Sequence, residues 1–208
     1  MRSTSFGQNN KPTVFDSFGV YLSSRRLVKE LRNICTLSPK KLLDLGAGYN
    51  MKHTAELLPY FDEATAIDVA LNEKILPSVI KKIGLLEHIM PELIKNEYSV
   101  VVLNSVLEHV KETQPLLNEC YRLLAPNGIF YISVPTWRGK FFLEYTAFAL
   151  KHKQARIEMN DHKMYYDKRD LWPILVKAGF LPEDIRLTYY KFGLNLLGIC
   201  RKRADTNE

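Results

Sequence analysis

The sequence predicts an α/β fold in which a mostly parallel sheet is covered by helices on both faces and ends in an antiparallel hairpin. Two observations predict this fold. Short apolar runs that end in polar residues alternate with stretches of helical periodicity, as in parallel strands joined by helical crossovers. The last two strand-like runs, 184–192 and 194–201, meet at Gly193, which is typical of a hairpin.

The first predicted element is a helix from Phe15 to Cys35 that follows a polar tail over residues 1–13. Ser23 and Ser24 are expected to be exposed or capping. At 208 residues and 46% hydrophobic composition the chain can bury one good core. We therefore expect one domain over 14–203, with its N-terminal helix over 14–36 and a short tail over 204–208. The helix should bury its periodic apolar side chains, Leu22, Leu27, Val28, Leu31 and Ile34.

A short apolar strand then runs into a glycine-rich turn in the segment Lys41-Leu-Leu-Asp-Leu-Gly-Ala-Gly-Tyr-Asn50. Gly46 and Gly48 can adopt backbone angles closed to other residues and let a ligand lie against the main chain. A dinucleotide-binding turn would continue with a third glycine and would place a pyrophosphate here, which the carboxylate of Asp44 would repel. That carboxylate would instead attract an ammonium group.

Two further strand ends carry polar residues. The run 64–70 contains Asp68, about 20 residues after the turn, where a ribose-binding carboxylate is expected. The alternative is that Asp68 caps a helix over 71–82. The run 98–110 begins with a continuous apolar stretch, which predicts a strand buried on both faces, and then turns polar at Asn104 and Ser105.

The segment 113–128 has the apolar spacing of a helix, for which Thr113 is the predicted N-cap. Pro126-Asn127-Gly128 should end this helix, and a fifth strand should follow over 129–134. The side chains at helical spacing are Leu116, Leu117, Cys120, Leu123 and Leu124.

Taken in order over residues 40–136, these segments resemble the class I S-adenosylmethionine (SAM) methyltransferases, in particular the small-molecule, methyltransferase type 11-like members. The resemblance implies a Rossmann-like, doubly wound, seven-stranded sheet, and SAM as the cofactor. It implies that Asp44 helps to hold the methionine ammonium group and that residues 107–110 begin a helix. One departure is that 85–93 lacks a clear acid for the adenine, leaving Glu87 and Glu92 as substitutes. The implied cofactor-binding residues are Asp44, Gly46, Ala47, Gly48, Asp68, Val69, Asn104, Ser105 and Leu107.

Residues 136–167 form the expected acceptor-side insertion, since methyltransferases of this class usually build the acceptor pocket there. It contains an aromatic-rich helix over 141–150 and precedes a helix over 168–178 that Gly179 ends. The alternative is that these aromatic residues belong to the core. The predicted pocket-lining residues are Trp137, His162, Tyr165 and Tyr166.

The predicted activity is methyl transfer to a small or sugar-like acceptor, with oxygen as the preferred atom. A hydroxyl acceptor needs a base, for which His162 is preferred over His109 because Asp161 and Tyr165 are neighbours that can orient it. The alternatives are a SAM-binding module without activity, an RNA or protein methyltransferase, and an NAD-type oxidoreductase.

The net charge of +6 permits an anionic partner. The basic residues of 138–169 alternate with acids, however, which favours a solvated face over a nucleic-acid groove; a second basic run is Arg201-Lys-Arg203. No apolar run approaches the roughly 20 residues of a membrane span, and the first ten residues lack a signal-peptide core, so a cytoplasmic location is expected. The scattered cysteines, Cys35, Cys120 and Cys200, are predicted to be small core residues rather than metal ligands.

Overall fold

The structure is a computed structural model that describes Ser5, Gln8 and the ranges 14–31, 38–148 and 163–204. Its described strands form one seven-stranded sheet with the order β3-β2-β1-β4-β5-β7-β6. The pairs from β3 to β5 are parallel, whereas β7 runs antiparallel to both β5 and β6. The strands are β1 (Lys41–Leu45), β2 (Glu63–Asp68), β3 (Ile80–Ile83), β4 (Tyr98–Asn104), β5 (Leu124–Pro135), β6 (Ile185–Tyr190) and β7 (Asn195–Arg201).

Helices cover both faces of the sheet. One core cluster contains side chains of α3, α4 and α6, and the other contains side chains of α1 and α2. Between these layers Val100 to Leu103 of β4 are fully buried, as predicted for a strand covered on both sides. The helices are α1 (Val14–Leu31), α2 (Lys52–Leu57), α3 (Leu86–Ile89), α4 (Thr113–Leu123), α5 (Trp137–Phe148) and α6 (Lys168–Lys177).

The predicted α/β class, doubly wound sheet and terminal hairpin are confirmed. Gly179 follows α6 with φ +116°, as expected of a glycine that ends a helix. Asp167 and Asp170 form a reciprocal capping box at the start of α6. Cys120 and Cys200 are buried free thiols, as predicted, whereas Cys35 lies outside the described residues.

Several local predictions are wrong. The proposed helix over 71–82 is a loop followed by β3, an edge strand whose two isoleucines are about half exposed. Residues 107–109 form a single 3-10 turn, because Val110 is extended and separates the turn from α4. Thr113 is the first helical residue rather than the N-cap; Glu112 occupies the cap position without a side-chain bond. Ser23 is 3% exposed and therefore buried.

β7 lies between β5 and β6, and β6 forms one edge of the sheet. Directly after β7, Lys202 is buried and its Nζ donates to Asn96 Oδ1 (2.7 Å) and to the carbonyl oxygens of Tyr121 and Leu124 (both 2.9 Å). The adjacent Arg203 pairs with Glu183 and Asp184. The basic run at 201–203 is thus largely engaged within the protein, which weakens it as an anion-binding surface.

Candidate active site

The glycine-rich turn joins β1 to α2 at the carboxyl edge of the sheet. Gly46 and Gly48 have φ values of +71° and +74°, which favour glycine. The N–H groups of Gly46 and Ala47 both donate to the carbonyl of Ile67, at 2.8 and 3.2 Å. A Cβ atom on Gly46 would lie 2.3 Å from Val106 Cγ2. The glycine is therefore required by the chain itself, because the loop after β4 packs against the turn.

Asp68 ends β2 beside this turn. Its Oδ2 accepts a hydrogen bond from the Gly48 N–H at 2.8 Å, while its backbone carbonyl accepts the N–H of Gly84 at 2.9 Å. The carboxylate thus fixes the turn, and its partial exposure leaves it accessible at the sheet edge. Val69 follows it and is also partly exposed.

Asp44, in the interior of β1, is more deeply buried than Asp68. It is 1% exposed, and its Oδ2 accepts a 2.6 Å hydrogen bond from Thr54 Oγ1 on α2. Burial raises the pKa of Asp44 to about 6; the Thr54 hydrogen bond opposes this shift and the charge of Asp68 adds to it. Its carboxyl group therefore braces α2 against the sheet and lies too deep for open contact with a ligand.

Asn104, at the end of β4, is partly exposed, and only part of the hydrogen-bonding capacity of its side chain is satisfied. Its Nδ2 lies 3.1 Å from His53 Nε2 of α2, whereas its Oδ1 is buried and has no hydrogen-bond partner among the described residues. Burial and the charges of Lys191 and Lys52 lower the pKa of His53 to about 4. A neutral His53 can accept the amide N–H at Nε2, which leaves Asn104 Oδ1 oriented for an external donor.

A polar row continues from this pair across the sheet. Ser133 of β5 is the strand neighbour of Asn104, and its Oγ lies 2.5 Å from Tyr190 Oη at the end of β6. Ser23 of α1 reaches the same phenol at 3.5 Å. We call His53, Asn104, Ser133 and Tyr190 the polar row. It covers the face of the sheet beneath α1 and α2, close to the carboxyl edge.

Sequence reasoning found only one member of the polar row, Asn104. His53 had a usable signal, since it is the fifth residue after Gly48, at the start of the helix that the turn opens. Ser133 and Tyr190 had none. They are distant in sequence and meet only because β7 brings β6 back to the edge of β5.

The 3-10 turn after β4 contains further predicted residues. Ser105 is exposed and has φ +55°. Leu107 is fully buried in the core on the α4 side, so its side chain presents no surface to a ligand. Glu108 and His109 are 2% and 8% exposed, and the N–H of His109 donates to Val106 at 3.0 Å. His162, the preferred base, lies outside the described residues.

The predicted pocket-lining aromatic residues divide into two kinds. Tyr165 and Tyr166 are 5% and 3% exposed, and Tyr166 belongs to a core cluster. Trp137, at the start of α5, is 38% exposed; its ring packs against Tyr165 with centroids 5.8 Å apart, and its Nε1 donates to Asp170 at 3.3 Å. The remaining aromatic side chains of α5 are more than half exposed, namely Phe141, Phe142, Tyr145 and Phe148. The core alternative therefore holds for the two tyrosines and fails for α5.

A groove of about 640 Å³ lies elsewhere, between α3 and the start of α4. Glu87, one of the two acids considered for the adenine, lines this groove, and Glu92 is exposed. Across the described ranges, no cluster of His, Cys, Asp or Glu has the geometry to hold a metal ion. No helix in those ranges combines the length and apolarity needed to cross a bilayer.

The fold and the turn between β1 and α2 are those of the class I SAM-dependent methyltransferases. A family model described as a methyltransferase domain matches residues 21–183, and the chain belongs to that family. The family and fold imply SAM as the cofactor. The predicted resemblance is confirmed.

One curated relative is the protein named ubiquinone biosynthesis O-methyltransferase from Psychrobacter arcticus. It is 25% identical over 169 residues, which cover 74% of this chain and 64% of the relative. This chain therefore spans less than two thirds of the length of that protein.

Solved structures confirm the fold. A SAM-dependent methyltransferase from Archaeoglobus fulgidus superposes with a TM-score of 0.65 at 15% identity, covering 88% of this chain and 94% of that one. The CurJ carbon methyltransferase gives a TM-score of 0.63 at 15% identity, covering 88% of this chain and 54% of that one. At such identities the similarity concerns the fold and does not identify an acceptor.

Proposed function

We propose that this chain transfers the methyl group of SAM to an oxygen atom of a small-molecule acceptor. The observation that carries the proposal is the convergence of the Gly46–Gly48 turn, the Asp68 carboxylate and the unpartnered Asn104 Oδ1 at one sheet edge. The name of the curated relative supports oxygen as the acceptor atom. The transferable methyl group comes with the bound cofactor as part of a sulfonium, so the protein mainly has to orient the acceptor and exclude water.

The described residues fit the groups of SAM. Asp68 is an acid at a strand end, where a carboxylate can accept hydrogen bonds from ribose hydroxyls. Asn104 Oδ1 is a buried acceptor without a donor, which the methionine ammonium group can satisfy. Ala47, Val69 and Ser105 supply backbone next to these two groups. Asp44 and Leu107 support the site without touching the cofactor: Asp44 attracts the ammonium group through its charge, and Leu107 packs in the core.

The cofactor assignment is tested by calorimetry with SAM, S-adenosylhomocysteine and NAD. We expect micromolar binding of both adenosyl ligands and none of NAD. Asp68→Ala should weaken SAM binding by at least tenfold, because one good charged hydrogen-bond pair is worth about 1.5–3 kcal/mol. Asp62→Ala, at the opposite end of β2 and exposed, is the matched control and should bind as wild type. Equal affinities for the two variants would refute the assignment of Asp68.

Base catalysis is a separate part of the proposal. An acceptor hydroxyl must lose its proton as its oxygen attacks, and a positioned histidine contributes about 10²–10⁴-fold in such steps. His162 remains our preferred base and His109 the second candidate. Each is replaced by glutamine, and kcat is compared with SAM affinity. The base should be the position where kcat falls by at least a hundredfold while SAM affinity is unchanged. If neither replacement lowers kcat, neither His162 nor His109 acts as the base.

A further inference from the structure

The turn between β6 and β7 lies at the same sheet edge as the candidate active site. Asn195 of β7 pairs with Pro135, the last residue of β5, so the Lys191–Gly193 turn stands at the carboxyl end of the parallel strands. Thr136 fixes the turn from below. Its Oγ1 donates to the Gly193 carbonyl at 2.7 Å, and its N–H donates to the Leu194 carbonyl at 3.0 Å. The backbone of this turn is therefore held in a defined position relative to the sheet edge.

Lys191 is the charged residue of this turn. Its backbone is left-handed, with φ +49°, and its side chain is only partly exposed. Its Nζ lies 5.4 Å from the centre of the Tyr190 ring. Its charge also reaches His53, where it is one cause of the lowered pKa. Lys191 thus points its charge at both ends of the polar row.

No described carboxylate pairs with this ammonium group. Its pKa falls to about 8, and burial is the sole cause, without any acid to oppose it. Glu108 acts electrostatically on Tyr190 and Tyr166. The groups of the polar row are all neutral near pH 7. Within the described residues Lys191 is consequently a partly desolvated cation without a counter-anion, and its charge acts on His53, the residue that contacts the Asn104 amide.

We propose that Lys191 forms an anion subsite for the methyl acceptor, so that the acceptor is a small molecule bearing a carboxylate or phosphate group. This inference rests on the proposed methyltransferase function. An anionic group would supply the charge that Lys191 lacks, and the ammonium would select such acceptors over neutral analogues, since a missing charge partner leaves the cation unpaired. Lys191 is thereby a specificity-determining residue of the acceptor site.

The probes are benzoate, phenyl phosphate and the neutral analogue benzamide, measured by calorimetry with and without S-adenosylhomocysteine. The variants are Lys191→Met, Lys191→Arg and, as the matched control, Lys177→Met at the exposed end of α6. We expect at least one anion to bind wild type, Lys191→Arg and Lys177→Met, and to lose at least tenfold in affinity for Lys191→Met. Comparing the two anions identifies which group is preferred. Benzamide affinity should not differ among the variants.

Two results would overturn the inference: equal anion affinity for Lys191→Met and wild type, or no binding of either anion by wild type. S-adenosylhomocysteine should bind all four proteins equally. If wild type fails to bind it while anion binding still depends on Lys191, the proposed function fails and the anion subsite stands. Lys191→Met should melt at or above the wild-type temperature, because it removes a partly buried charge, so a weakened anion affinity cannot be attributed to unfolding.

Discussion

Replacing Asp44 by asparagine should stabilise the ligand-free protein at neutral pH while weakening its hold on SAM. Burial raises the pKa of Asp44 from 3.8 to about 6, so the folded state disfavours the ionised carboxylate. Each tenfold change in proton affinity is worth about 1.4 kcal/mol, and the full cost is therefore about 3 kcal/mol. Asparagine avoids this cost and can still accept the Thr54 hydrogen bond through its amide oxygen.

The sign of the pH dependence follows from the raised pKa. The stabilising contribution of protonated Asp44 is fully present below pH 3.8 and is lost as the pH rises through about 6. The cost in wild type is about 1.5 kcal/mol at pH 5 and about 3 kcal/mol at pH 8. The free energy of unfolding of Asp44→Asn minus that of wild type should therefore be about 1.5 kcal/mol higher at pH 8 than at pH 5. A pH-independent cost of the amide group cancels in this comparison.

His53 has the opposite dependence and must be separated from this effect. Its lowered pKa, about 4, means that its contribution is present above pH 6.5 and is lost as the pH falls towards 4. Wild type alone would show the two effects partly cancelled. Because both proteins retain His53, the difference between wild type and Asp44→Asn isolates Asp44. The assay is urea unfolding of both proteins at pH 5 and pH 8.

A second variant gives the reverse result. Thr54→Val removes the hydroxyl that stabilises the ionised carboxylate, and it should destabilise the protein more at pH 8 than at pH 5. The reasoning is refuted if the free-energy difference between Asp44→Asn and wild type is the same at the two pH values. SAM affinity, measured at pH 8, should fall about tenfold in Asp44→Asn, since the nearby charge that attracts the ammonium group is lost.

Three further predictions concern buried contacts, two around the site and one at the opposite edge of the sheet, and all use urea unfolding. Gly46→Ala should lower the free energy of unfolding by more than 2 kcal/mol, because its Cβ clashes with Val106 and its backbone is left-handed. Adding Val106→Ala in the same chain should restore about half of this loss. No restoration would exclude the clash as a cause. Tyr190→Phe should lower the free energy of unfolding by about 1–2 kcal/mol, because it removes the hydrogen bond to Ser133 of β5. Tyr131→Phe should be neutral or stabilising, because that buried hydroxyl has no partner among the described residues. Equal costs would contradict this contrast. Lys202→Met should lower the free energy of unfolding by about 2–3 kcal/mol, because it leaves the buried Leu124 carbonyl and the part-buried Tyr121 carbonyl and Asn96 Oδ1 without their donor; a cost below 1 kcal/mol would contradict it.

Much of the sheet could be predicted because its central strands are buried on both faces. Such strands appear in the sequence as unbroken apolar runs, as in β4. Their ends are marked by a change to polar residues, as at Asn104. β3 was missed because it is a four-residue edge strand of sequence Ile-Lys-Lys-Ile with half-exposed isoleucines. Neither its length nor its pattern distinguishes it from a short helical segment.

The candidate site could be predicted only where local spacing determines it. The Gly46–Gly48 turn and Asp68 follow from residues within one strand-turn unit and its neighbour. The rest of the candidate site depends on contacts such as Ser133 with Tyr190, which are 57 residues apart in sequence. Lys191 could not be predicted either, because its place at the sheet edge depends on the antiparallel pairing of β7 with β5.

The position of β7 has a consequence for the order in which the protein forms. Among the strands that the structure describes, β6 pairs only with β7, which follows it in sequence. During synthesis β1 to β5 can pair as they emerge, but β5 keeps an open apolar edge until β7 has been made. Chains whose synthesis halts before β7 should therefore expose the unpaired edge of β5 and be prone to self-association. Tyr190 and Lys191, which precede β7 in sequence, would be carried to the sheet edge only at that last step.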